Sequence, residues 1–334
     1  MINPPLKDVT VLDAGRGMSA ALVAKMLAEA GADVTRLSIY DEIFEKIYPA
    51  FSLWHSKARK KSEAVDLNMP DGSQPDIIIM GGEDHPDLPP LPSADSVLAE
   101  HPNTIVLYIS SKPAGLDGCE MPAHELLAQV RSGLSNEISS ERPMYLAFPA
   151  ASYGAALVGS IALMAALCER EKSGVGQIVR TSLVQGALAW LGPLWLQTRT
   201  STGALDMIVP KGARHTIFRC ADGVFIHFAL GVPNAVKNLD AILGNTEPHR
   251  GLDARGLPTG KDSANYFGDI DLIQSHVGKW QSEALMEELR KCGIPVEKVM
   301  APGECWLEPQ VIANQIIVTD VSGRRYVGST IKGF

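Results

Sequence analysis

Three stretches of this sequence carry residues able to do chemistry. "PAHELLAQVRSGL" (Pro122–Leu134) opens with His124 and Glu125. Histidine titrates near neutral pH, so a His at the start of a helix suits proton transfer, although a lone His in that place is more often structural. "HSKARKKSEAVDL" (His55–Leu67) holds Lys57, Arg59, Lys60 and Lys61 within five positions. Such a run is either a solvated charged loop or a clamp for the phosphates of a polyanionic ligand. "DAGRGMSA" (Asp13–Ala20) is built like a glycine-rich dinucleotide turn, with Gly15 and Gly17 in place. Ala20 replaces the third glycine, and Ser38 stands where an acid should end the second strand. No NAD is expected. The turn can still offer backbone N–H groups to a phosphate at a helix N-terminus.

Other chemistries lack their residues. There is no GxSxG nucleophile motif and no HExxH metal motif. The five cysteines are scattered and never form a CxxC pair, so reduced thiols, a cytoplasmic location and no structural metal are expected. Cys168 falls in an apolar helix and reads as a core thiol with a raised pKa. The net charge of −8 argues against nucleic acid as a partner. MINPPLKDV lacks the charge and apolar pattern of a signal peptide. The apolar run Ala155–Cys168 reads as a buried helix too short for a bilayer, so no membrane association is expected.

The elements that must position these residues follow from apolar runs and glycine turns. Val9–Gly15 reads as a buried strand, and the helix after it closes at Gly31. "DVTRLSI", "DIIIMGG" and "NTIVLYISS" supply further strands. Strand, helix and strand joined by tight turns indicate an α/β fold with a parallel, Rossmann-like sheet. Ligands of such sheets sit at the carboxyl ends of the strands. Ala147–Val179 reads as a long helix, stopped at Lys172–Gly174, and then a strand. The chain divides into a large domain (1–196), a linker (197–214), a smaller α/β domain (215–299) and a return segment to the large domain (300–334). In the small domain, Ala221–Gly223 is a hairpin signal. Helices are expected at Ala235–Leu243, Asp269–Lys279 and Glu283–Lys291. The return segment reads as a helix and a hairpin turning at Ser322–Gly323.

The order of segments resembles family III CoA-transferases, the CaiB/BaiF family, which also contains α-methylacyl-CoA racemases. "LKDVTVLDAGRGMSAALVAKMLAEAGADV" is similar to the family's opening. "SKARKKSEAVDL" resembles its Lys-Arg-Ser segment ending in Asp-Leu, with Lys60 at the lysine. "ALCEREKSGVGQ" is the most specific piece. "ADGVFIHFA" and "GIPVEKVMAPGECWLEPQVIANQ" resemble the small-domain hairpin and the return segment.

The resemblance implies an interlocked-ring dimer that binds coenzyme A or acyl-CoA as substrate. Lys57, Arg59, Lys60, Ser110 and Ser111 match CoA-contacting positions. In the transferases an Asp at the start of the long helix attacks the thioester and carries the acyl group as an anhydride. Counting back from Ser173-Gly174, that Asp falls on Ser152, and no Asp or Glu lies between Glu141 and Glu169. A neutral serine hydroxyl needs an adjacent base to attack. The loop after the strand at 76–82 also departs from the family, with Met80–His85 in place of Glu-Asn-Phe-x-Pro-Gly. His124-Glu125 sits where the racemases carry a His-Asp pair. Three readings follow. The chain is a CoA-thioester enzyme, whether transferase or one-base racemase-like enzyme using His124. Or it is a silent subunit, heterodimeric with an Asp-bearing paralogue. Or it is a binding protein for acyl-CoA. The acyl substrate is not legible.

Overall fold

The computed structural model describes residues 3–48, 50–55, 57–61, 67–113, 121–137, 142–192, 217–244, 254, 270–301 and 303–329. The expected linker, including Gln197–Gly212, lies outside them. The chain forms two compact units, one running to Pro193 and the other beginning at Leu194.

The first unit alternates strands and helices. In order they are β1 (Thr10–Asp13), α1 (Gly17–Glu29), β2 (Asp33–Leu37), α2 (Asp41–Ile47), α3 (Phe51–Trp54) and β3 (Arg59–Lys61). Then come β4 (Ile77–Gly81), α4 (Ala94–Glu100), β5 (Ile105–Ser110), α5 (Glu125–Arg131) and α6 (Leu134–Glu137). α7 (Ala150–Ser173), β6 (Ile178–Ser182) and α8 (Leu183–Leu191) complete it. All six strands are parallel, in the order β3-β2-β1-β4-β5-β6. This is the Rossmann-like sheet expected. β4 and β5 read as unbroken apolar runs because they are central and covered on both faces; Ile77–Met80 and Ile105–Leu107 are fully buried. The basic run contributes a strand as well as a loop. β3 escapes an apolar reading because it is a short edge strand, with Arg59 exposed and paired to Asp33.

Strand order reverses between β1 and β4, and the loops leaving these two strands are stitched together. Arg16 N donates to Gly81 O at 2.8 Å, and Glu83 N donates to Arg16 O at 3.2 Å. Gly81 and Gly82 turn the second loop with φ of 76° and 104°. A Cβ at either would strike backbone, Ile109 O for Gly81 and Arg16 O for Gly82. On the far side, Asp84 pairs with the approach to α5: its N–H donates to Ala123 O at 2.8 Å and its carboxylate accepts Ala123 N at 2.7 Å.

α7 has 24 residues, more than its apolar run suggested, and is long and apolar enough to cross a membrane by length and composition. Its small residues, Ala151, Ala155, Ala156 and Gly159, are buried with Leu163, whereas Tyr153, Leu157, Val158 and Ile161 are exposed. Cys168 is also exposed, which corrects its reading as a core thiol. Because α7 is apolar nearly all round, residue size rather than polarity marks its inner face.

The second unit contains β7 (Ile217–Arg219), β8 (Phe225–Phe228), α9 (Ala235–Leu243), α10 (Ile270–Val277), α11 (Ser282–Lys291) and β9 (Val296–Lys298). Its three strands form an antiparallel sheet in the order β7-β8-β9. Phe218 and Phe228 stack at 5.0 Å in its core. α12 (Pro309–Ala313) and the hairpin of β10 (Ile317–Thr319) and β11 (Arg325–Val327) follow.

α7 meets α8 through glycines. A Cβ at Gly154 would fall on Gly186 O, and one at Gly186 on Ala151 O and Ala155 N. Gly186→Ala should therefore push the start of α7 off α8 and cost about 1–3 kcal/mol. Denaturant unfolding checks this; an unchanged midpoint would show that the contact is looser than described.

Candidate functional site

The loops at the β1/β4 reversal meet the starts of α5 and α7, and the polar side chains of these four segments converge. Pro149 precedes α7 and cannot cap it, and the first turn of α7 contains no acid. A remote carboxylate caps it instead. Glu125 Oε1 accepts Ala151 N at 3.0 Å, and Oε2 accepts Ser152 N at 2.7 Å and Ser152 Oγ at 2.6 Å. Gln129, one turn along α5, donates to Oε1 at 2.8 Å, and its own oxygen accepts Leu146 N at 3.0 Å. Glu125 and Ser152 are both buried. The negative charge sits where the partial positive end of the helix favours it. The carboxylate missing from α7 in sequence is thus supplied in space by α5.

A second carboxyl enters from the loop after β4. Glu83 is buried; its Oε2 accepts the Tyr48 hydroxyl at 2.6 Å and its Oε1 accepts Met18 N at 3.2 Å. Burial, with help from the neighbouring Glu125 charge, pushes the Glu83 carboxyl up to about 6, against the Tyr48 and Met18 hydrogen bonds. Burial and the facing Glu83 carboxyl push the Tyr48 phenol well above its usual range. Gly17 permits this approach: its φ is 65°, and a Cβ there would fall on the Glu83 side chain. The glycine turn was read as a place for a ligand's phosphate. Its Met18 N–H instead receives the chain's own carboxyl.

Beneath the same turn lies a buried ionic network. Arg36 Nη1 donates to Gly15 O at 2.6 Å and pairs with Asp13 at 3.1 Å, while its Nε pairs with Asp41 at 3.1 Å. His55 Nε2 meets Asp13 at 3.1 Å, and its Nδ1 meets Phe51 O at 3.1 Å. Burial works against the Asp13 charge, but Arg36 and His55 outweigh it and hold that carboxyl below its usual range. The network fixes the glycine turn from below.

The remaining residues singled out by sequence lie apart. His124 is exposed and caps α5, its Nδ1 accepting Leu126 N at 3.3 Å. Of the His-Glu pair, one side chain faces out and the other is buried. Lys57 and Arg59 are exposed near the β3 edge. Ser110, at the carboxyl end of β5, directs its hydroxyl to Lys112 O at 2.6 Å and Thr181 O at 3.2 Å. Ser111 O accepts Val184 N at 3.2 Å. β3 and β5 are four strand spacings apart, about 19 Å. No group of three His, Cys, Asp or Glu side chains able to hold a metal occurs among the described residues. Sequence reasoning missed Glu83 and Tyr48. The available signal was the Gly81-Gly82 pair directly before an acid.

A Rossmann-like parallel sheet with carboxyls at its switch point defines the broad class, and comparison with known proteins narrows it. The sequence model of CoA-transferase family III matches residues 93–330. The chain belongs to that family. It is 21% identical over 339 residues to succinyl-CoA–D-citramalate CoA-transferase of Chloroflexus aurantiacus, covering 94% of this chain and 83% of that protein. Its fold is similar to a CaiB/BaiF family protein from Brucella suis, with a TM-score of 0.70 and 19% identity over 99% of this chain and 93% of that one. It is also similar to Rv3272 of Mycobacterium tuberculosis, with a TM-score of 0.73, 18% identity and the same coverage.

Glu125→Ala should expose the role of the remote cap. Each buried donor left without its acceptor costs about 1–3 kcal/mol, so the variant should melt well below the parent. Glu125→Gln, which keeps an acceptor oxygen, should recover part of the loss. Thermal unfolding of the three proteins decides it, and equal melting temperatures would remove Glu125 from this role.

Proposed function

We propose that the chain binds CoA thioesters of carboxylic acids and has lost the aspartyl-anhydride route, or obtains it from a partner subunit. Membership of the family supports the ligand class. The observation that carries the rest is the Ser152 hydroxyl, buried and directed to Glu125 at 2.6 Å, at the position where the resemblance places the transferase Asp. With no exposed surface, that oxygen is closed to a thioester approaching from solvent. Glu125 does not take over, because its oxygens already accept four hydrogen bonds at the α7 start and from Gln129. The racemase-like alternative has less support, since His124 is exposed and caps its own helix. For the ligand itself, Lys57, Arg59 and Lys60 near the β3 edge and Ser110 and Ser111 after β5 are the proposed contacts. Their separation suits an extended molecule with phosphates at one end.

The same reading extends to assembly. Leu126, Leu127, Val130, Phe148, Leu157 and Ile161 leave much apolar surface exposed on the first unit. Ile161 alone is 71% exposed. We infer that a second chain covers this face, either another copy or an Asp-bearing paralogue.

Two experiments test these readings. Calorimetry should detect CoA binding that weakens with salt and with Lys60→Ala, while hydroxylamine trapping with acyl-CoA donors should yield no acylated peptide across Ala147–Ser160. Absence of binding at millimolar CoA removes the ligand class; an acyl adduct on Ser152 or Glu125 restores the covalent route. Light scattering should find an oligomer that Ile161→Glu disrupts. A parent protein monomeric at micromolar concentration would refute the assembly.

A further inference from the structure

The three-stranded sheet of the second unit has two edges, and side chains reach both of them. At the end of β7, Cys220 N donates to Val224 O at 2.8 Å across the hairpin, so even-numbered residues bond towards β8 and odd-numbered ones turn their backbone groups outward. Gln274 of α10 meets that outward row. Its Oε1 accepts Arg219 N at 2.9 Å and its Nε2 donates to Arg219 O at 2.9 Å. These are the two bonds that one residue of a neighbouring antiparallel strand would make. Next along the row, Ala221 N donates to Trp280 O at 2.8 Å, in the turn after α10. Ile217, 49% exposed, is the odd-numbered residue of β7 left without such a cover among the described residues. At the other edge, Val296 and Lys298 face outward, since Val299 N and Ala229 N make bonds between the β9 and β8 segments. Arg290 Nη2 donates to Val296 O at 3.4 Å, and the exposed Lys298 charge deters a further strand.

We propose that Gln274 is a surrogate strand: it occupies the open edge of β7 and so keeps that edge from pairing with β7 of a second copy of this chain. A second copy fits the edge once it is bared. Two β7 strands run antiparallel about Phe218 set each Ile217 opposite the other copy's Arg219, and the outward groups of both residues then bond in pairs. No like charges meet in that register, and the arrangement is two-fold and self-complementary. The amide is the group the edge requires. A carboxylate at 274 could accept Arg219 N but could not donate to Arg219 O. The device lies wholly within the second unit, so it holds whether or not the chain binds CoA or pairs through its first unit.

Backbone hydrogen exchange, corrected for intrinsic rates, reads the cover in the parent protein. The Arg219 amide, which faces away from β8, should exchange about tenfold more slowly than the Ile217 amide, the worth of one hydrogen bond. Equal rates would overturn the proposal, whatever becomes of the variants. Gln274→Ala bares the edge, and by light scattering its mass should rise to roughly twice the parent's as concentration increases. Adding Ile217→Pro removes an outward N–H that no bond to β8 uses, and should return the doubly substituted protein to the parent's mass. A Gln274→Ala protein that keeps the parent's mass at every concentration sinks the idea. So does one whose association survives Ile217→Pro, because a surface other than β7 would then be pairing.

Discussion

The first unit's polar centre depends on one interaction, the Glu125 carboxylate at the open end of α7. Three groups of α7 converge on it: two backbone amides and the Ser152 hydroxyl. Helix α7 carries a long apolar body whose small residues pack on the sheet and on α8, so its entry angle is set by whatever holds its first turn. A proline before that turn contributes no cap. The charge must come from elsewhere, and α5 supplies it. Fixing Glu125 in turn requires Gln129, whose oxygen holds the chain just before α7. The second unit repeats the device: Asp222 accepts Ser282 N at 3.0 Å and Ser282 Oγ at 2.7 Å at the start of α11. A remote carboxylate gripping a helix by an amide and a serine hydroxyl is thus a structural habit of this chain. That supports reading Ser152 as a clasp rather than a nucleophile.

The glycine turn shows the same economy of anions. Its geometry, a strand followed by Gly17 and the start of α1, is one that receives phosphate in dinucleotide-binding proteins. Here Met18 N–H meets Glu83, while Arg36 and the buried Asp13 and His55 brace the turn from below. Family membership constrains the architecture, but the residues at the switch point give this chain its own local electrostatics.

Much of the fold was legible because its signals are local. Ile77–Met80 and Ile105–Leu107 announce central strands by composition, and the hairpin at Ala221–Gly223 is announced by its turn. β3 was not, since Arg-Lys-Lys carries no apolar pattern and its strand state comes only from pairing with β2. Cys168 was misplaced because α7 offers no polarity contrast between its faces. At the site, His124 and Glu125 were found as a pair, but sequence could not say which side chain is buried. Ser152 was singled out by resemblance but its partner was not, because the contact joins residues 27 positions apart. Glu83 was harder still. It contacts Met18 across 65 positions, from a loop whose sequence registered only as a departure from the family pattern.

The two glycines that aim Glu83 have a consequence for what positions 81 and 82 can accept. Gly81 and Gly82 hold conformations and clearances that a side chain at either position would violate. A substitution at either must reroute the loop after β4, and with it the carboxyl that meets the Met18 amide and the Tyr48 hydroxyl. The path of the loop and the burial of its acid therefore stand or fall together.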